Sequence, residues 1–181
     1  HYQSGRYGEA EALALSLTEE FAAHPFAWKI LGAVLKQTDR RSEAVDANQK
    51  AVALSPQDAE ACNNLGVTLQ ELGRLEEAET SYRQAIALNP DYAEACSNLG
   101  VTLKELGRLE AAEASYRQAI ALKPDYAEAH SNLGVTLKGL GRIDEAEESY
   151  RQAIALNPNY GKAYNNLGII LKDQEAFEDA M

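Results

Sequence analysis

Residues 59–92, AEACNNLGVTLQELGRLEEAETSYRQAIALNPDY, decide the fold of this 181-residue chain. Both halves of the stretch carry apolar or small residues at spacings of one, three and four. These are Cys62, Leu65, Gly66 and Leu69 in the first half, and Ala78, Tyr82, Ala85 and Ile86 in the second. Such spacing puts side chains on one face of a helix with 3.6 residues per turn. The stretch therefore predicts two amphipathic helices.

The residues between and after the two stripes predict where the helices end. Gly73 suits the left-handed position that follows a helix C-terminus. Pro90 ends the second helix, because proline is tolerated in a first helical turn and not in a helix interior. We expect Asp91, with Glu94 three residues later, to cap the next helix, and Asn89 is a competing cap. The unit is thus helix–turn–helix.

The unit recurs with a period of 34 residues. The predicted array has a partial repeat at 1–24 (a second helix), full repeats at 25–58, 59–92, 93–126 and 127–160, and a partial repeat at 161–181 (a first helix). The second and third full repeats are identical at 29 of 34 positions, and the third and fourth at 26 of 34. Stacked pairs bury a continuous core that one pair cannot bury alone. We therefore expect one all-α array over 1–181.

The stripes also predict the helix bounds and the apolar surface at the two ends. Helices are expected near 7–22, 25–38, 42–54, 59–72, 76–88, 93–106, 110–122, 127–140, 144–156 and 161–173. The first and last of these lack one packing partner. We expect partial exposure of Leu13, Leu17, Phe21, Leu167, Ile170 and Leu171. Because exposed apolar surface tends to find a partner, the ends predict self-association.

Composition and motifs exclude several classes of function. The net charge of −11 repels polyanions, so no nucleic-acid binding is expected. No run of 18 apolar residues predicts a membrane span, and no signal peptide is visible, which favours a cytoplasmic location. The histidines and cysteines lack metal-ligand spacing, and no phosphate loop or catalytic set is visible. We expect no metal, no cofactor and no enzymatic activity in this segment.

The repeat resembles the tetratricopeptide repeat, whose motif is W-x2-LG-x2-Y, then A-x3-F-x2-A, then P. Trp28 with Leu31-Gly32 shows the first part once, and the Leu-Gly pair recurs every 34 residues. Ala78, Tyr82 and Ala85 match the second part. The resemblance covers the whole chain. It implies an α-solenoid, a right-handed superhelix with a concave groove lined by first helices, similar to the array of O-GlcNAc transferase-like proteins.

Helical phase predicts which residues face that groove. At 100° per residue, the face opposite the apolar stripe carries recurring asparagine, valine and lysine positions. They are Asn63, Asn64, Asn98, Asn132, Asn166, Val67, Val101, Val135, Lys104, Lys138 and Lys172. A side-chain amide offers a donor and an acceptor, as a peptide unit does, so an asparagine row is able to hold an extended chain by its backbone. In the alternative interpretation, the asparagines are structural and the lysines are simply solvated.

Three hypotheses about function follow. The first is a non-catalytic protein-interaction scaffold that binds an extended peptide segment, of unknown identity, in the groove. The second is a substrate-recognition arm of a larger enzyme, for example a glycosyltransferase, whose catalytic part lies outside this segment. The third is a scaffold that assembles with its own copies through the repeat stack.

Overall fold

Each predicted stripe forms an α-helix in the structure, a computed structural model that describes the backbone of residues 7–178 and the side chains of residues 8–174. The described residues form helices and no strand. They fall into two compact units, unit 1 over His1–Pro90 and unit 2 over Asp91–Met181. The all-α prediction is confirmed. The predictions for 1–6 and 179–181, at the ends of the two partial repeats, lie outside the described residues.

The helix bounds follow the predicted ones closely. Unit 1 contains α1 (Tyr7–Glu20), α2 (Pro25–Gln37), α3 (Arg41–Leu54), α4 (Ala59–Glu71) and α5 (Leu75–Leu88). Unit 2 contains α6 (Ala93–Glu105), α7 (Leu109–Leu122), α8 (Ala127–Gly139), α9 (Ile143–Leu156) and α10 (Gly161–Glu178). Nine of these ten helices of the described chain end within two residues of the predicted bounds, and α10 does not.

The last helix was expected to end near residue 173 but continues to Glu178. Elsewhere Gly73 takes a φ of +74°, and the N–H of Arg74 donates to the Leu69 carbonyl at 2.9 Å, which closes the helix end. Glu175 stands at the position equivalent to Gly73. At the equivalent position of the repeat over 25–58, Asp39 takes a left-handed φ of +61°, which aspartate tolerates. Glutamate lacks this tolerance, so the helix continues.

The predicted caps were wrong. Helices α6 and α8 begin after Tyr92 and Tyr126, which are the N-cap residues and make no side-chain capping bond. Asp91 instead lies in a turn, where its carbonyl accepts the N–H of Ala93 at 3.0 Å. In α4 the N-cap is Asp58, whose carboxylate accepts the N–H of Ala61 at 3.0 Å. The turn after proline thus puts the cap one residue later than the capping-box pattern predicts.

A tyrosine ring packed on a glycine joins the two helices of each complete pair in the repeats over 59–160. Tyr82 is fully buried, and a Cβ added to Gly66 would lie 2.7 Å from its Cε1 atom. The same contact recurs between Tyr116 and Gly100 and between Tyr150 and Gly134. In the repeat over 25–58 the smaller Asn48 takes the tyrosine position, against Gly32. The Leu-Gly pair therefore sets how closely the helices approach.

Each unit is a stack of such pairs, which is the helical solenoid fold. In unit 1, every helix packs on the next one, and the first helices α2 and α4 contact each other. In unit 2, α6 packs on α7 and α8 on α9, while α10 packs on α9 and α8. The first helices α6, α8 and α10 contact one another in order. They form one continuous face of unit 2.

The apolar residues predicted to be open at the ends behave differently from one another. Leu13, Phe21 and Leu171 are exposed by 56%, 47% and 38%, as predicted. Leu17 and Leu167 are half-buried. Ile170 is buried, with 1% exposure, so that prediction was wrong.

Candidate functional site

The first helices of unit 2 present asparagine, valine and lysine at equivalent positions. We call this surface the first-helix face of unit 2. Its members Asn98, Asn132, Asn166, Val101, Val135, Lys104 and Lys138 are half-buried, and Lys172 and Ile169 are exposed. In unit 1 the corresponding positions on α4 are Asn64 and Val67, both half-buried. Partial burial leaves each of these side chains accessible from one side.

Two asparagines of this face, Asn132 and Asn166, have side-chain amides without a described hydrogen-bond partner. The Thr102 and Thr136 hydroxyls donate to the Asn98 and Asn132 carbonyls at 3.1 and 2.9 Å. The side-chain amides of Asn132 and Asn166 make no hydrogen bond with any described group, and neither does that of Asn64. A half-buried amide without a protein partner offers a donor and an acceptor to an incoming chain.

Asn63 does not belong to the accessible face, contrary to the sequence prediction. It is buried, with 2% exposure. Its equivalents in unit 2, Ser97 and Ser131, are also buried and hydrogen-bond with Tyr126 and Tyr160. These tyrosines precede the next first helix and cover the serine positions. In unit 2 this position therefore serves packing between repeats.

The lysines of the first helices differ in their ion pairs. Lys36 lies 3.6 Å from Glu71, and Lys138 lies 3.9 Å from Asp173, each carboxylate being 35 residues further along the chain. The residue 35 positions after Lys104 is Gly139, which has no side chain. Neither Lys104 nor Lys172 forms an ion pair with a described residue. Unit 2 thus has two lysines, Lys104 and Lys172, whose positive charge is not paired with a described acidic side chain.

A small polar hollow in unit 1 was not predicted from the sequence. It has a volume of about 70 Å³ and exists where Asn48 replaces the tyrosine of the other repeats. The Asn48 amide donates to the Thr68 hydroxyl at 2.9 Å. The hollow is lined by Lys29, Gly32, Ala33, Lys36, Asn48, Asn64 and Thr68. The sequence does indicate the hollow, because Asn48 departs from the repeat pattern and is smaller than the tyrosine found at its position in the other repeats.

Lys29 beside this hollow is held by two carboxylates. Its ammonium lies 3.0 Å from Asp58 and 2.7 Å from Glu60. Burial lowers the pKa of Lys29, but hydrogen bonds with Glu60 and Asp58 outweigh it and raise the pKa above the ordinary value. Burial likewise raises the pKa of Asp58, but the N–H of Ala61 and the Lys29 ammonium outweigh it and lower the pKa. Lys29 therefore forms ion pairs that join α2 to the start of α4.

Charges on the second helices of unit 2 pair among themselves. Arg142 contacts Glu113 and Glu145, each at 2.6 Å, and Arg117 contacts the same two carboxylates at 2.9 and 3.3 Å. Burial raises the pKa of Glu113, but its bonds with Arg117 and Arg142 outweigh this effect and lower the pKa. This closed ring of alternating charge joins α7 to the start of α9. It is structural and leaves no single cation for a ligand.

Other kinds of site find no support in the part of the chain that the structure describes. Within it, no cluster of three or more His, Cys, Asp or Glu side chains is arranged to hold a metal ion. No described helix has the length and apolar character needed to cross a membrane. Cys62 and Cys96 are free and buried, and burial raises the pKa of both thiols. They act as small core side chains.

Family comparisons agree with the repeat pattern. A TPR repeat model matches residues 69–107 and 102–141, and tetratricopeptide repeat models match 1–59, 47–80, 127–160 and 149–181. Together these matches extend from the first residue to the last. A search of curated protein sequences found no match.

Solved structures share the fold. A crystal structure of MamA matches with a TM-score of 0.80 and 24% identity, over 89% of this chain and 94% of that one. The crystal structure of YrrB, described as a TPR protein with an unusual peptide-binding site, matches with a TM-score of 0.76 and 24% identity, over 91% of this chain and 84% of that one. At this identity the likeness concerns the fold alone.

Proposed function

This chain is a tetratricopeptide-repeat protein, and from that premise we propose that it is an interaction scaffold whose first-helix face of unit 2 binds an extended peptide. The peptide would cross α6, α8 and α10 in turn. Asn98, Asn132 and Asn166 would bond its backbone, and Val101 and Val135 would supply apolar contact beneath it. Because the contacts address the backbone, the preference for peptide sequence would be weak.

One observation carries this proposal. The side-chain amides of Asn132 and Asn166 are half-buried and make no hydrogen bond with a described group, although neighbouring buried polar side chains are bonded. Partly buried amides lose some solvation, and a ligand that bonds them restores it. YrrB, described as having a peptide-binding site, has the same fold, which supports the proposal by analogy.

The test uses a twelve-residue peptide selected from a random displayed library against the whole chain. In titration calorimetry, the triple variant of Asn98, Asn132 and Asn166 to alanine should bind this peptide at least about tenfold more weakly. Each lost hydrogen bond contributes about 0.5–1.5 kcal/mol, so three of them exceed a tenfold effect of about 1.4 kcal/mol. N-methylation of the peptide backbone should have a similar effect.

The matched control replaces amides on the opposite helices. Gln118 and Gln152 are exposed on α7 and α9, and their double alanine variant should keep full affinity. Equal affinity of the asparagine variant and the unmodified chain would exclude backbone recognition by these residues. A lower melting temperature of that variant, with unchanged affinity, would instead favour a structural role for the asparagines.

Self-association is a second candidate, favoured by an apolar hollow in unit 1. This hollow between α1 and α2 has a volume of about 450 Å³ and is lined by Ala10, Leu13, Ala14, Leu17, Ile30, Ala33 and Val34. An exposed apolar surface of this kind suits a helix of a second copy. Sedimentation should then show oligomers that increase with concentration and are weakened by Leu13→Glu. A monomer at high micromolar concentration would exclude this candidate.

A further inference from the structure

We propose that the repeat over 93–126 contains a carboxylate-binding site, formed by the Lys104 ammonium and the Tyr116 hydroxyl. The site would take one Asp or Glu side chain of the peptide bound on the first-helix face of unit 2. This inference rests on the proposed function and adds the chemical class of the ligand, an extended peptide with an acidic residue.

Lys104 lacks the carboxylate that its equivalents have. Lys36 and Lys138 each lie within 4 Å of an acidic side chain 35 residues further on, Glu71 and Asp173. Gly139 occupies that position for Lys104. The Lys104 side chain is thus half-buried on α6 without an ion pair among the described residues. A carboxylate supplied by a ligand would complete the pair that the neighbouring repeats make internally.

The Tyr116 hydroxyl lacks an acceptor. Tyr116 has 0% exposure, and its hydroxyl is a buried polar group without a hydrogen-bond partner. In the preceding repeat the Tyr82 hydroxyl donates to the Gln70 Oε1 atom at 3.0 Å. Gln70 is the equivalent of Lys104, and an ammonium offers three donors and no acceptor. Tyr116 therefore lacks the acceptor that Gln70 gives to Tyr82.

The two features lie together. The Tyr116 ring packs on Gly100 as the Tyr82 ring packs on Gly66, with the same 2.7 Å distance from the added Cβ to Cε1. The Tyr116 hydroxyl therefore points toward the side chain at position 104, as the Tyr82 hydroxyl points toward Gln70. An ammonium and a hydroxyl that both donate toward one place are suited to a carboxylate, because hydrogen bonds to ionised groups are the stronger ones.

Two other charges act on this place. Glu105 and Glu128 are exposed and lie close enough to Tyr116 to act on its hydroxyl through space, and neither bonds it. They repel a phosphate, with its larger negative charge, more strongly than a single carboxylate, so they favour one carboxylate as the ligand. Because the hydroxyl is closed to solvent, entry of a carboxylate would require the side chains around Tyr116 to move.

The test compares two acetylated and amidated peptides, four copies of Thr-Glu-Ser and four copies of Thr-Gln-Ser, titrated against the whole chain at low ionic strength. The glutamate peptide should bind about tenfold more tightly, the ratio that one charge-assisted hydrogen bond supplies. Lys104→Gln should abolish this preference. It should leave the melting temperature equal or higher, because the introduced amide accepts from Tyr116 as Gln70 does from Tyr82. Tyr116→Phe should reduce the preference with Lys104 retained.

Two further variants separate a specific site from general charge. Gly139→Asp supplies the internal carboxylate and should also abolish the preference, with only a small shift of the Leu109 methyl that lies 3.2 Å from an added Cβ. Lys138→Gln removes the same positive charge, but from a position where the lysine already lies near Asp173. This variant should keep most of the preference for the glutamate peptide. If Lys138→Gln reduced the preference as much as Lys104→Gln does, the proposed site would be overturned. Equal binding of the two peptides by the unmodified chain would also overturn it. Both results would leave the proposed function intact. If neither peptide bound, both proposals would be overturned.

Discussion

Replacing Gly134 with alanine tests the packing that positions the first-helix face of unit 2. The added Cβ would lie 2.7 Å from Cε1 of Tyr150 and 2.9 Å from its Cδ1 and Cζ. Tyr150 is buried, with 1% exposure, so the ring has little room to move. Overpacking of this kind costs about 1–3 kcal/mol, and alanine recovers about 1 kcal/mol over glycine within a helix. We expect a net loss of stability of up to about 2 kcal/mol.

The chain contains a matched control for this substitution. Gly168 occupies the same position on α10, and a Cβ added there meets no atom of the described side chains within 4 Å. Gly168→Ala should therefore raise stability by about 0.5–1 kcal/mol, the helix preference of alanine alone.

The assay is urea unfolding followed by circular dichroism. The midpoints of the two variants should move in opposite directions from that of the unmodified chain. Because long repeat arrays depart from two-state unfolding, midpoints are compared only where the transition slopes agree. A Gly134→Ala chain as stable as Gly168→Ala would refute the tyrosine-on-glycine account of how the helices are held together.

Two further predictions concern hydrogen bonds and pH. Tyr82→Phe should destabilise the folded chain by about 0.5–1.5 kcal/mol, because it removes the hydrogen bond to Gln70. Tyr116→Phe should leave stability unchanged or raise it, because the Tyr116 hydroxyl has no partner. Thermal unfolding of both variants measures the difference. The pKa of Asp58 is lowered in the folded chain, so its stabilisation is fully present above the unfolded value of about 3.9 and is lost as pH falls through the folded value. Unfolding midpoints measured from pH 6 downward should fall less steeply for Asp58→Asn, and identical slopes would contradict the role of the Lys29–Asp58 pair.

The sequence predicts most of the fold because the determining features are local. Helix stripes depend on spacing alone, and Gly73 marks a turn because a left-handed φ of +74° favours glycine. The extension of α10 was missed although Glu175, at the glycine position, signals it. The cap at Tyr92 was missed because its location depends on the turn geometry after Pro90, which spacing does not determine.

The candidate site was predicted less completely, because it depends on contacts between repeats. Helical phase put Asn63 on the accessible face, but phase does not show that tyrosines from the next repeat cover its equivalents. The difference between Lys104 and Lys138 also arises between repeats, from one glycine 35 residues later. The partial exposure of Asn98, Asn132 and Asn166 was predicted because it follows from the phase of a single helix, and their role in binding stays a prediction.

The most direct test of the account is a nuclear magnetic resonance titration of side-chain amides in the whole chain with the library-selected peptide. We predict that the amide signals of Asn98, Asn132 and Asn166 shift together with peptide concentration and show contacts to the peptide backbone. The amide signals of Gln118 and Gln152, on the opposite helices, should stay in place. Saturable binding that moves the glutamine signals and leaves the three asparagines unchanged would contradict the central claim.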